Sequence, residues 1–126
     1  MKKLLLLLLC VPMIGFSQCI SGDCKNGYGV YIKQDSYMYT GEFKDGRRHG
    51  LGHYSSFEGD GWSYKGEFKD GLRNGKGTLT WFGGNTYTGD WKDSARYGMG
   101  VYKKTDGTGD LSYYIDDKRI KTLCEF

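Results

Sequence analysis

Tyr64-Lys65-Gly66-Glu67-Phe68-Lys69-Asp70-Gly71-Leu72-Arg73-Asn74-Gly75-Lys76-Gly77 is the stretch on which the reading of this chain turns. On an extended strand alternate residues face opposite sides, so Tyr64, Gly66 and Phe68 share one face while Lys65 and Glu67 share the other. Asp70-Gly71 accepts the positive φ angles of a two-residue hairpin turn. The return strand then runs through Gly75, Gly77, Leu79 and Trp81 on one face. Glycine weakens a strand by roughly 0.5–1 kcal/mol relative to alanine, so its repetition needs a reason. An aromatic ring lying flat on the backbone supplies one, because only glycine leaves that room.

The stretch recurs. Tyr39 to Gly52 precedes it and Tyr87 to Gly100 follows it, so that Tyr39, Tyr64 and Tyr87 open three copies at nearly even spacing. A period of this length marks a stacked array of small units, since one hairpin cannot bury its own apolar face. A weaker unit lies upstream around Gly27-Tyr28-Gly29, with Ile20 in the position of Phe43. Downstream, Leu111 to Asp117 aligns one further period after Tyr87 to Asp93, with Leu111 in place of the tyrosine and Tyr113 in place of the glycine. Terminal repeats carry atypical outer edges, so residues 18–33 and 111–126 read as caps around repeats near 39–60, 64–83 and 87–104. The loops between them are short and polar or glycine-rich. The fold class expected is all-β: an elongated, curved, single-layer antiparallel sheet of consecutive β-hairpins.

The N-terminus carries an address. Lys2 and Lys3 precede an apolar run from Leu4 to Val11, and Gly15-Phe16-Ser17 presents small residues where a signal peptidase reads. The run is too short to span a bilayer, which takes about 20 residues. Cleavage after Ser17 is expected, with a secreted or periplasmic product. Lipidation at Cys10 is the weaker alternative, because leucines precede it where small residues belong. The full chain has 18 basic and 15 acidic side chains. Cleavage removes two lysines and no acid, leaving 16 against 15. That balance gives no polybasic signature, and nucleic acid is not expected as a partner. Of the remaining cysteines, Cys19 and Cys24 flank a turn-like tetrapeptide and form the candidate disulfide, while Cys124 is left over.

The repeat, Tyr-x-Gly-Glu-Phe/Trp-Lys-Asp-Gly-Lys/Arg-x-x-Gly-x-Gly, resembles the MORN (membrane occupation and recognition nexus) repeat. Residues 39–52 and 64–77 match at nearly every defining position. Residues 87–100 depart at Asp93-Ser94-Ala95-Arg96, where the turn glycine is missing and the local hairpin geometry is open to change. The resemblance implies a sheet of hairpins that serves as a scaffold, a protein-binding module or a dimerising module, with a membrane role recorded in the family's name.

Catalytic and metal chemistry find little footing. His49 and His53 are four apart on a strand, about 13 Å, too far to hold one ion together, and both read as solvent-facing. Gly71 to Thr78 is one residue short of a phosphate loop and no helix follows. The loops at Glu58–Gly61 and Asp106–Asp110 lack the six to eight oxygens that calcium takes, and turn chemistry explains them. Asp116 and Asp117 face opposite ways if extended and read as a solvated end. No cofactor and no enzymatic activity are expected. The candidate binding face is the row Tyr39, Phe43, Tyr64, Phe68, Tyr87 and Trp91, weighed against the reading that these rings only cover the glycines. Glu42, Lys44, Glu67, Lys69, Asp90 and Lys92 form an alternating polar stripe that reads as solvated. The expected function is an exported interaction or scaffold module with an unidentified protein partner or a second copy; the alternatives are a lipid-binding module and an accessory subunit of an enzyme.

Overall fold

The computed structural model describes residues 17–126. The expected signal segment lies outside the described residues except for Ser17, which opens the first strand. Ten strands follow one another as a meander in a single open antiparallel sheet, in sequence order from β1 to β10. They are β1 Ser17–Gly22, β2 Tyr28–Lys33, β3 Tyr37–Lys44, β4 Arg47–Ser56, β5 Trp62–Lys69, β6 Leu72–Trp81, β7 Thr86–Lys92, β8 Ala95–Lys103, β9 Gly109–Ile115 and β10 Lys118–Glu125.

The register is set by glycine. Gly29, Gly41, Gly52, Gly66, Gly77, Gly89 and Gly100 are successive cross-strand partners, and Ser112 ends the row. The Tyr39 ring lies on Gly52, the Tyr64 ring on Gly77 and the Tyr87 ring on Gly100, each so close that a Cβ would collide with it. These tyrosine hydroxyls donate to carbonyls of their own hairpins, Tyr39 to Glu42 at 2.8 Å and Tyr64 to Glu67 at 3.0 Å. Edge-to-face contacts then join the units: Tyr39 meets Phe43 and Phe68, Tyr64 meets Phe68 and Trp91, and Tyr87 meets Trp91 and Tyr114, all with centroids 5.0–5.4 Å apart. Each such pair adds about 0.5–1.5 kcal/mol beyond the area it buries, so the zigzag is the core of the array.

Four two-residue turns close the hairpins at one end of the sheet, with positive φ at Asp45-Gly46, Asp70-Gly71, Asp93-Ser94 and Asp116-Asp117. The third keeps the hairpin geometry without its glycine, because Ser94 takes φ of 66°. Asp116-Asp117 is therefore a turn and not an extended pair, and both residues are exposed.

Three further expectations are corrected. Gly75 leaves the face of Gly77: its φ is +99° and its open side meets the Glu67 carboxylate. A bulge between Gly66 and Phe68 causes this by taking up extra residues of β6. That bulge also gives the acidic stripe a structural use, since Glu67 accepts the Lys76 amide at 2.5 Å and Glu42 the Leu51 amide at 2.6 Å. In the last unit the alignment shifts by one residue: Ser112 occupies the glycine row and Tyr114 is the buried ring. Tyr113, expected at the glycine position, points the other way, as a one-residue slip in a strand requires. In the first unit Ile20 is half exposed, unlike Phe43. Cys24 replaces the ring instead: it is bonded to Cys19, packs on the core and lies over Gly29.

Candidate functional site

The six rings of the expected binding face lie in the interior. Tyr39, Tyr64 and Tyr87 have no exposed surface, and Phe43, Phe68 and Trp91 are at most 9% exposed. Covering the glycines buries most of their surface, and Tyr39, Phe43 and Phe68 form part of the floor of the cavities above them. The open aromatic surface on the same side is a second row. Tyr31, Tyr37, Tyr54 and Trp62 stack in sequence with centroids 6.0, 4.9 and 5.0 Å apart and ring planes within 29° of parallel. All four are half-buried and pack against the core cluster.

Arginines complete this surface, and reasoning from the sequence missed them. Arg48, Arg73, Arg96 and Arg119 recur in phase with the repeat, at a position treated as variable within it. Each of the first three ties its hairpin to the next turn. The Arg48 carbonyl accepts the Gly71 amide at 2.9 Å while its Nη2 donates to the Gly71 carbonyl at 2.8 Å. Arg73 and Ser94 repeat the exchange at 2.9 and 2.8 Å, and Arg96 and Asp117 at 3.1 and 2.9 Å. The guanidinium groups lie over rings, Arg48 4.9 Å from Tyr54, Arg73 4.5 Å from Trp91 and Arg96 4.8 Å from Tyr114. The signal was recoverable from sequence: four arginines at one phase of the array.

Between rings and arginines runs a trough in two compartments that share Arg48 and Gly71. One, of about 240 Å³, is bounded by Cys24, Tyr31, Tyr37 and Arg47. The other, of about 110 Å³, is bounded by Tyr54, Trp62, Arg73 and Ser94. The opposite face has a flatter hollow of about 450 Å³ over Gly41, Gly52 and Gly66, beside Leu51, His53 and Lys65. That hollow has a floor of backbone and no stacked rings beyond the exposed Tyr28 at its rim.

The electrostatics differ along the array. Burial lowers the Arg73 pKa, opposed by the charge of Asp117. Burial pushes the Asp117 carboxyl up, but hydrogen bonds from the Arg96 amide and guanidinium, with the Arg96 charge, hold it below the ordinary carboxylate value. Burial also raises the tyrosines, Tyr64 and Tyr87 to about 12.

The histidines split. His53 is exposed, whereas His49 is half-buried with Nδ1 enclosed and without a hydrogen-bond partner, which corrects its solvent-facing reading. Among the described residues no three His, Cys, Asp or Glu side chains are placed to share a metal ion. At Asp106 the side chain accepts the Thr108 amide and hydroxyl, an Asx-type turn. Among the described residues Cys124 has no disulfide partner, and it is exposed on β10.

The profile of the MORN repeat matches residues 25–36, 39–61, 64–86 and 87–109. This chain belongs to the MORN repeat family. MORN repeats commonly mediate protein or membrane interactions. The matched segments include part of the N-terminal cap and stop where Asp110 replaces the repeat's tyrosine. No match is found among curated proteins.

Proposed function

We propose that this MORN protein is an exported, non-enzymatic interaction module that binds a protein partner along the trough. The observation that carries the reading is the second aromatic row. Four stacked, half-exposed rings form a continuous strip across β2 to β5. Amphipathic rings held rigid by their neighbours offer contact area at little entropic cost, which is what an extended segment of another chain needs. The arginines add directional donors along the same strip. Export is supported by the Lys2-Lys3 and leucine-rich start and by the Cys19–Cys24 bond.

Site-directed photocrosslinking in the native host tests this. A crosslinker at Tyr37 or Trp62 is expected to capture a protein that one at Thr88, on the opposite face, does not. Equal capture from both faces, or none from the trough, would sink the proposal. Mass spectrometry of the exported chain should find Gln18 at its start; an intact Met1 start would remove the export part.

A further inference from the structure

The four repeat arginines occupy equivalent places, but only two of them are neutralised. Arg96 pairs with Asp117 at 3.0 Å and Arg119 with Asp110 at 3.0 Å. Among the described residues neither Arg48 nor Arg73 has a carboxylate within ion-pair distance. Among the described residues the Nη2 of each guanidinium donates to a turn carbonyl, and the Arg48 guanidinium also reaches the Tyr54 hydroxyl. Their remaining nitrogens are not enclosed orphans, since among the described residues only His49 Nδ1 is both buried and unpartnered. Both arginines line the smaller compartment together with Tyr54 and Trp62.

The nearby acids are committed elsewhere. Asp117 reaches Arg73 with its charge, but its hydrogen bonds come from Arg96. Glu58, near Tyr54, accepts the Ser36 hydroxyl at 2.6 Å. Arg48 and Arg73 also repel each other, as the effect of Arg48 on Arg73 indicates. Two half-buried like charges with free donors are unfavourable when left alone, and an incoming oxyanion satisfies both at once.

Resting on the trough as the binding surface, we propose that the compartment between Arg48 and Arg73 holds a carboxylate of an acidic, extended segment of a protein partner, with the apolar side chain two residues along that segment, on the same face, packed on Tyr54 and Trp62. The geometry suits this occupant. Guanidinium forks recognise planar carboxylates, the volume of about 110 Å³ admits one such group, and the stacked row continues past it into the larger compartment. Neutral rings flanking a cationic pocket favour an acidic and an apolar residue two positions apart, on one face of the segment.

The array supplies its own control. Ser94→Asp copies Asp117 at the equivalent turn, where φ is 66° against 68°, and should neutralise Arg73 from within without disturbing the fold. Asp117→Ser is the converse. The experiment titrates labelled purified protein with an acetylated Glu-Ser-Phe-Ser-Glu peptide, its Gln-Ser-Phe-Ser-Gln counterpart and inorganic phosphate, following the arginine Nε–H signals. The acidic peptide should bind about tenfold more tightly than the neutral one, moving Arg48 and Arg73 but not Arg119. Ser94→Asp should remove most of that tenfold preference, and Asp117→Ser should bring Arg96 into the responding set. Equal binding of both peptides, or indifference to Ser94→Asp, overturns the anion site while the trough reading stands on the crosslinking. Absence of binding by either peptide also overturns it. Phosphate binding as tightly as the acidic peptide overturns the protein segment as occupant.

Discussion

The two halves of the array differ where their repeats are most alike. Arg48 and Arg73 in the first half, and Arg96 and Arg119 in the second, sit at one repeat position and tie their surroundings together. In the first half the residue answering the guanidinium is a turn carbonyl, of Gly71 or Ser94. In the second half it is an acid, Asp117 or Asp110. The acids arrive by substitution of the repeat itself: Asp117 stands at the turn glycine and Asp110 at the ring tyrosine. A degenerate repeat is thus also a closed one. It answers its own Arg119 and the Arg96 of the regular repeat before it, while the two earlier regular repeats leave theirs open to the trough.

The largest effect should separate the ring-bearing repeats from the C-terminal end by pH. In the regular units burial raises the tyrosine pKa values, to about 12 for Tyr64 and Tyr87 from about 10. A raised folded pKa gives stability that is complete below pH 10 and is lost as pH climbs toward 12, on the order of 2–3 kcal/mol for each ring. The depressed carboxyl of Asp117 acts in the opposite sense. Its contribution is present above about pH 4 and is lost as pH falls through its lowered value. Alkali should therefore open the array from its regular units, and acid should loosen the β8–β10 end first. Amide exchange read residue by residue at both extremes checks this; simultaneous loss at the two ends under both conditions would contradict it.

Next in size is the glycine row. Alanine at Gly77 would overlap the Tyr64 hydroxyl and ring, with the neighbouring strand leaving no escape. A cost of about 3 kcal/mol is expected from the displaced ring. At Ser112 the row tolerates a side chain, whose hydroxyl donates to Asp110 at 2.5 Å. Ser112→Gly should cost only about 1–2 kcal/mol, the loss of the hydroxyl's hydrogen bonds to Asp110 and Thr122 and some backbone order. Denaturant unfolding of both variants measures the ratio, and equal costs would mean that the row is not one continuous element.

Reducing Cys19–Cys24 should cost roughly 2 kcal/mol by the loop-closure relation for so short a ring. The loss should stay at β1 and β2, because Cys24 stands in for a ring only over Gly29. A shift in protection at β7 to β10 on reduction would contradict that locality.

What can be read from the sequence follows from what repeats. Tyr64, Gly77 and the Asp70-Gly71 turn announce themselves through period and alternation, and the sheet follows from them. The open surface is harder to see. Tyr37, Tyr54 and Trp62 lie outside the repeated core, in segments whose spacing changes between units, and only the folded strands stack them. The arginines are visible in phase but carry no strand signal, because their partners are atoms of the next unit's turn and not neighbours on a strand. The slip at Tyr113 and Tyr114 has the same origin. With the glycine and tyrosine both replaced, the alignment is held only by Tyr114 at the ring position, the Asp116 turn and Arg119.

The smallest expected effect bears most directly on the comparison. Asp117→Ser removes the acid that Arg96 contacts through both its amide and its guanidinium, at 2.9 and 3.0 Å. The serine hydroxyl can still accept the amide, as Ser94 does from Arg73 at 3.2 Å, so only the charge is lost. Asp117 is partly exposed, and solvent screening keeps the expected loss near about 1 kcal/mol. Ser94→Asp adds the same charge beside Arg73, which burial already disfavours, and should stabilise by a similar amount. Thermal unfolding of the two variants and their combination settles whether the halves differ by this one group. If the double variant regains wild-type stability, the charge at the turn alone distinguishes an open repeat from a closed one. If Ser94→Asp destabilises, the first-half trough excludes an internal acid for steric reasons, and the openness of Arg73 reflects packing and not charge.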